Sequence, residues 1–147
     1  DNLDVLIAPV GGGGLLSGTS LSAKYFENST TVYAGEPEGA ADAVLSFKSG
    51  KVKSAPFIDT IADGLLTTLG DITLKIIREN VRDILLVNDD EIISSMKLIY
   101  ERLKIVVEPS AAVPLAVVLK NKKMFKGKNV GLILSGGNVD LRIFSKI

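Results

Sequence analysis

Asp4-Val5-Leu6-Ile7-Ala8-Pro9-Val10-Gly11-Gly12-Gly13-Gly14-Leu15-Leu16-Ser17-Gly18, residues 4–18, is the stretch that decides the fold. Val5 to Val10 is a continuous apolar run of strand length, which marks a strand covered on both faces. Leu15 to Phe26 then carries apolar residues at helical spacing, so strand, glycine turn and helix follow one another. Thr31 to Ala34 is β-branched and aromatic and closes at Gly35-Glu36-Pro37, which predicts a second strand, and Ala40 to Phe47 predicts a second helix.

The alternation continues downstream. Lys51 to Ile61 holds Pro56 and no clean period and reads as a connecting loop, long enough to suspect a binding role. Asp71 caps a helix through Asn80, and Val81 to Val87 is the third strand. Asn88 and Glu91 have capping-box spacing ahead of a long helix. Its stripe is Ile92, Ile93, Met96, Ile99, Tyr100 and Leu103, with Glu91, Lys97, Glu101 and Lys104 facing water. Pro109 and Ser110 open another apolar helix, in which Pro114 is read as near enough to the first turn to be tolerated. Val130 to Leu134 is the fourth strand, stopped by Ser135-Gly136-Gly137-Asn138. Apolar strands separated by helices predict an α/β fold, a mostly parallel sheet with helices on both faces.

Composition narrows the chemistry. Seventeen basic residues balance seventeen acidic ones, so no net field recruits nucleic acid or an anionic membrane, and the expected partner is a small molecule. The chain has no cysteine and no histidine, which excludes disulfides, thiolate metal sites and the commonest general base. No apolar stretch approaches the roughly 20 residues of a bilayer span, and no secretory signal stands at the start, so the expected location is cytoplasmic. The chain opens on Asp1 and enters a strand within four residues, which is expected of a fragment of something longer.

Ligands of open parallel sheets bind beyond the carboxyl ends of the strands. Three predicted strands end there in Gly11 to Gly14, Gly35-Glu36-Pro37 and Ser135-Gly136-Gly137-Asn138, and these are expected to converge on one pocket. Four glycines between strand and helix leave the backbone N–H groups unshielded, which makes a phosphate cradle; a tight turn needing only one or two of them is the plainer explanation. Gly13 to Gly18 with Thr19 and Ser20 has P-loop spacing, but Thr19 stands where the lysine belongs. Gly12 and Gly14 begin a dinucleotide fingerprint with Ser17 in place of its third glycine and Glu36 near the position of a ribose-binding acid. A dinucleotide-binding domain stays open as an alternative, as does a catalytically inert binding module.

Pro9 to Gly18, Glu36-Pro37-Glu38-Gly39-Ala40, Thr60-Ile61-Ala62-Asp63-Gly64, Glu108-Pro109-Ser110-Ala111 and Ser135-Gly136-Gly137-Asn138, in this order, resemble the motifs of fold-type II pyridoxal-phosphate enzymes. The nearest resemblance is to the serine racemase and threonine (serine) dehydratase family. It implies that residues 1–147 are the C-terminal portion of the cofactor-binding large domain, without the N-terminal half that carries the Schiff-base lysine, so the chain alone is expected to be inactive. It implies that Gly11, Gly12, Gly13, Gly14 and Leu15 hold the cofactor phosphate, that Ser135 with Gly136 meets the pyridine nitrogen, and that Glu108 and Gly64 lie beside the ring. Glu36, Asp42 and the carbonyl of Ala40 resemble a cation site whose oxygen ligands suit Mg²⁺ or Ca²⁺; solvated surface acids, or Asp42 simply favouring a helix start, are the plainer alternatives. The implied activity is β-elimination from serine or threonine, a lyase releasing a 2-oxo acid and ammonia, with serine racemase (an isomerase) second. A homodimer acting in amino-acid metabolism, without the C-terminal regulatory domain of biosynthetic dehydratases, completes the expectation.

Overall fold

The computed structural model describes residues 2–26, 29–140 and 142. Successive side chains of a strand point to opposite faces, and in β1 (Val5–Pro9) both faces are apolar: Val5 and Ile7 enter one core and Ala8 the other. Around it lie β2 (Thr31–Pro37), β3 (Ile84–Val87) and β4 (Val130–Leu132), in the order β3-β2-β1-β4 with every pairing parallel. The helices are α1 (Gly14–Phe26), α2 (Asp42–Ser49), α3 (Asp71–Asn80), α4 (Asp89–Leu103), α5 (Pro109–Lys120) and the short α6 (Lys122–Phe125). Leu16, Ala43, Val44, Leu74 and Ile77 from α1 to α3 pack on one face of the sheet, and Ile92, Met96, Ala112 and Val113 from α4 and α5 on the other. The predicted α/β architecture is therefore what forms. No helix among the described residues is long and apolar enough to cross a membrane.

Several predicted boundaries move, each for a packing reason. β2 does not stop at Ala34: Gly35, Glu36 and Pro37 pair with Leu85, Leu86 and Val87, so the presumed turn is the second half of the strand. Proline is tolerated there because it is the last residue of the strand. β3 starts at Ile84 rather than Val81, whose amide still closes α3 on Ile77 O at 2.8 Å. The second helix starts at Asp42 because Glu38–Ala40 forms a separate 3₁₀ turn. In α4 the Asn88–Glu91 capping box is present, with Glu91 N–H donating to Asn88 Oδ1 at 3.0 Å and Asn88 N–H to Glu91 Oε2 at 2.9 Å. Ile92, Met96 and Ile99 are buried as expected, but Tyr100 and Leu103 are exposed, since the inward face is completed by Ser95. Pro114 is the sixth residue of α5, inside the second turn, so one helical hydrogen bond to Ser110 O is forgone.

Small residues set how close α5 comes to the sheet. Ala111, Ala112, Val113, Ala116 and Val117 are buried, and opposite them β2 carries Gly35. A Cβ on Gly35 would stand 2.6 Å from Val113 Cγ1 and 3.0 Å from Val117 Cγ2. Gly35→Ala is therefore expected to destabilise the fold by about 1–3 kcal/mol through overpacking, with Val113→Ala restoring part of the loss in the double variant. Urea titration checks this; an unchanged midpoint in the single variant would refute the close approach.

Candidate functional site

The strand order reverses beside β1: the chain proceeds outward from β1 through β2 to β3, then returns to place β4 on the other side of β1. Beyond the carboxyl ends of neighbouring strands leaving in opposite directions, a crevice opens. It is a cavity of about 260 Å³ lined by Gly11, Gly12, Gly13, Gly14, Leu15, Gly64, Glu108, Ser110 and Ser135 among others. The glycine run follows β1 and Ser135 follows β4, so the topology brings together segments more than 100 residues apart in sequence.

The glycine run is built to face an anion. Its first internal helical bond is Ser17 N–H to Gly13 O at 2.9 Å, which leaves the amides of Gly14, Leu15 and Leu16 without an acceptor in the helix. Gly13 has φ +85°, and a Cβ there would lie 2.7 Å from Leu69 Cδ2, so this position needs glycine for conformation and for space. Nothing lies within 4 Å of a Cβ on Gly14, where the cavity is open. The oriented amides and the free space suit a phosphate group.

The opposite wall is tied together by Glu108. Its own N–H donates to Gly136 O at 3.1 Å, and its Oε2 accepts from Asn138 N–H at 3.1 Å, so one residue fixes the backbone on both sides of Gly137. A Cβ on Gly136 would stand 3.1 Å from Glu108 Oε2, which explains the glycine after Ser135. Gly64 N–H donates to Ser110 Oγ at 3.1 Å, and a Cβ on Gly64 would stand 2.8 Å from that oxygen. Ser110, 2 % exposed at the start of α5, lines the cavity as well, a role that its place in the Glu108-Pro109-Ser110-Ala111 motif does not by itself reveal. Its position, one residue after the helix-opening Pro109, was the available signal.

Glu36 does not join this cavity, contrary to the expected convergence of three strand ends. Because β2 runs on through Pro37, Glu36 is a strand residue, 1 % exposed, and its carboxylate turns to the start of α2. Oε1 accepts from Ala43 N–H at 2.6 Å and Oε2 from Val44 N–H at 2.9 Å. Burial pushes the Glu36 carboxyl up to about 7 against the pull of the Val44 and Ala43 amides, and the charge of Asp42 adds to the rise. Asp42 is 2 % exposed, its carboxyl is also raised by burial, and its Oδ2 is buried without a hydrogen-bond partner. Ala40, 1 % exposed, ends the 3₁₀ turn between them. Among the described residues no group of three or more side-chain metal ligands forms. Glu36 is thus a buried helix cap, which also removes it from the ribose-binding role that a dinucleotide site would require.

Comparison with known proteins agrees with this geometry. Residues 1–136 match the family described as pyridoxal-phosphate dependent enzyme. The chain is 52% identical over 151 residues to a serine racemase of Dictyostelium discoideum, covering 100% of this chain and 47% of that protein. It is 50% identical over 141 residues to a beta-hydroxyaspartate dehydratase of Paracoccus denitrificans (strain Pd 1222), covering 96% of the chain and 45% of the relative. The solved structure of maize serine racemase superposes with a TM-score of 0.90 at 42% identity, over 98% of this chain and 45% of that one. The chain thus spans a little under half the length of these relatives. With the glycine cradle, the Glu108 clasp and Ser135 at one switch point, and the family match over 136 residues, the chain belongs to the fold-type II pyridoxal-phosphate dependent enzymes.

Proposed function

We propose that this chain is the C-terminal portion of the cofactor-binding domain of a lyase that removes water from a β-hydroxy amino acid, releasing a 2-oxo acid and ammonia. The observation that carries the reading is the cavity at the β1/β4 switch point, which the glycine run and Ser135 line together. Gly11 to Gly14 with Leu15 hold the phosphate of pyridoxal 5'-phosphate through their backbone amides, and Ser135 meets the ring nitrogen. When bound, that cofactor supplies an electron-withdrawing ring that eases removal of a proton from the substrate α-carbon. A hydroxyl at Ser135, unlike a carboxylate, leaves the ring nitrogen without a compensating negative charge, which favours quick expulsion of the β-hydroxyl. Glu108 holds the Ser135 turn in register through Gly136 and Asn138.

Among the described residues no lysine lines the cavity. The reading therefore assigns the cofactor-bearing lysine to an N-terminal part of the protein and expects residues 1–147 alone to be inactive. The family resemblance extends the reading to a cytoplasmic homodimer with an amino acid as substrate. Racemisation of serine is the second reading, favoured by the 52% identity to a serine racemase. Full-length protein supplied with the cofactor is expected to release ammonia and 2-oxo acid from L-serine, L-threonine or 3-hydroxyaspartate. Accumulation of D-serine without ammonia would move the assignment to the racemase, and neither product from any of them would remove both.

Ser135→Ala in the full-length protein is expected to weaken cofactor retention by roughly 0.5–1.5 kcal/mol, the net value of one hydrogen bond, and to slow elimination. Cofactor titration followed by absorbance checks this. Wild-type retention and turnover would show that Ser135 does not meet the ring.

The reading includes a cation between Glu36, Asp42 and the Ala40 carbonyl, completed by water. It is supported by the unpartnered, buried Asp42 Oδ2 beside a second buried carboxylate, an arrangement that a hard divalent ion would relieve. Mg²⁺ or Ca²⁺ is expected to raise the melting temperature by mass action, amounting to about 2.7 kcal/mol at a hundredfold excess over Kd. The isosteric Asp42→Asn is expected to fold and to lose the increment. Equal increments in both proteins, measured against a chelator control, would dismiss the site.

A further inference from the structure

Thr73 lies in the first turn of α3, 61 residues from the glycine run, yet its hydroxyl reaches that run. Thr73 Oγ1 accepts from Gly70 N–H at 2.9 Å and stands 3.0 Å from both Gly12 O and Gly70 O. A hydroxyl has one proton to give. Gly70 O already accepts from Leu74 N–H at 2.9 Å, so the proton is best spent on Gly12 O. Thr73 does not line the cavity; it backs the loop from the α3 side, 2.9 Å from where a Cβ on Gly13 would sit.

The peptide geometry turns this contact into an orientation. No cis peptide occurs among the described residues, and in a trans peptide the C=O and N–H point in opposite directions. Holding Gly12 O toward α3 therefore turns the N–H of Gly13 away from α3, to the cavity side. The left-handed φ of +85° at Gly13 then lets the next amide, on Gly14, follow on the same side, the backbone pattern that forms an anion-binding nest. We propose that Thr73 is a positioning residue: its hydroxyl locks the Gly12–Gly13 peptide so that the Gly13 amide is presented to the cofactor phosphate. This rests on the reading that the cavity takes pyridoxal 5'-phosphate.

The test compares binding of pyridoxal 5'-phosphate with that of pyridoxal, which lacks the phosphate, to full-length apoprotein by absorbance titration, with inorganic phosphate as competitor. The wild type is expected to prefer the phosphorylated form strongly. Thr73→Val is expected to lower affinity for pyridoxal 5'-phosphate about tenfold, to weaken phosphate competition in parallel and to leave pyridoxal binding within about twofold, as loss of one hydrogen bond to a charged group requires. Thr73→Ser, which keeps the hydroxyl, is expected to behave as wild type. Equal losses for both ligands, or none for either, would overturn the proposal by showing a structural role or no role. Thr73→Ala carries the same comparison if the valine variant does not fold; failure of both to fold would likewise assign a structural role and overturn it. A wild type that binds both ligands equally would instead reject the phosphate reading of the cavity itself, and this proposal with it.

Discussion

The reversal of strand order between β1 and β4 is the constraint on which the site depends. Parallel neighbours whose connections leave in opposite directions cannot cover the space above their own carboxyl ends. Here the chain leaves β1 into α1 on one face, while the residues after β4 carry Leu134 and Val139 against the core on the other. The gap between is where Gly11 to Gly14 meet Ser135. Neither segment would form a site without the other, and the sheet sets their spacing: Ile7 pairs with Leu132, and Ile133 N–H continues the ladder to Ile7 O at 2.9 Å.

The second wall of the cavity depends on how tightly α5 lies on the sheet. Gly35 in β2 and the alanines of α5 allow that approach, and the approach carries Glu108 and Ser110, at the start of the helix, to the strand ends. From there Glu108 fixes the turn after Ser135, and Ser110 fixes Gly64. Glycines recur at these contacts because their neighbours already occupy the volume of a Cβ: Ser110 Oγ opposite Gly64, the Glu108 carboxylate opposite Gly136, Leu69 and Thr73 opposite Gly13. A core contact on β2 thus governs the geometry of a polar site formed by other segments.

What was legible in the sequence was whatever local chemistry dictates. The strand-glycine-helix unit, the Asn88–Glu91 box and the parallel α/β class follow from period and capping, and the cavity residues Gly11 to Leu15, Gly64, Glu108 and Ser135 follow from ordered motifs. What failed required knowing partners. Gly35-Glu36-Pro37 has the composition of a turn, and only pairing with Leu85 to Val87 makes it a strand. That same extension carries Glu36 past the cavity to the α2 amides. Tyr100 and Leu103 share the apolar period of α4, but period cannot say where the neighbouring helix ends. Thr73 carried no signal, because a threonine in the first turn of a helix is ordinary until its contact with Gly12 is seen.

The turn that holds Ala40 and the cavity wall that holds Gly64 are nevertheless one mechanical path. Asp59 N–H donates to Gly39 O at 2.8 Å, and the fit is so close that a Cβ on Gly39 would overlap Asp59 O. The next residues are pinned by the start of α4, where Asp89 accepts from Thr60 Oγ1 at 2.6 Å and from Ile61 N–H at 2.9 Å. Two residues further the chain enters the 3₁₀ turn Asp63–Leu65, whose Gly64 rests on Ser110. On the far side, Lys120 at the end of α5 bridges Glu38 and Glu91 at 2.9 and 3.0 Å, closing the path between the 38–40 turn, α4 and α5. Close-packed segments pass displacement on rather than absorbing it. A displacement of the 38–40 turn would therefore be passed to Gly64 and Ser110 in the cavity wall, while Thr73 braces the glycine run from the α3 side.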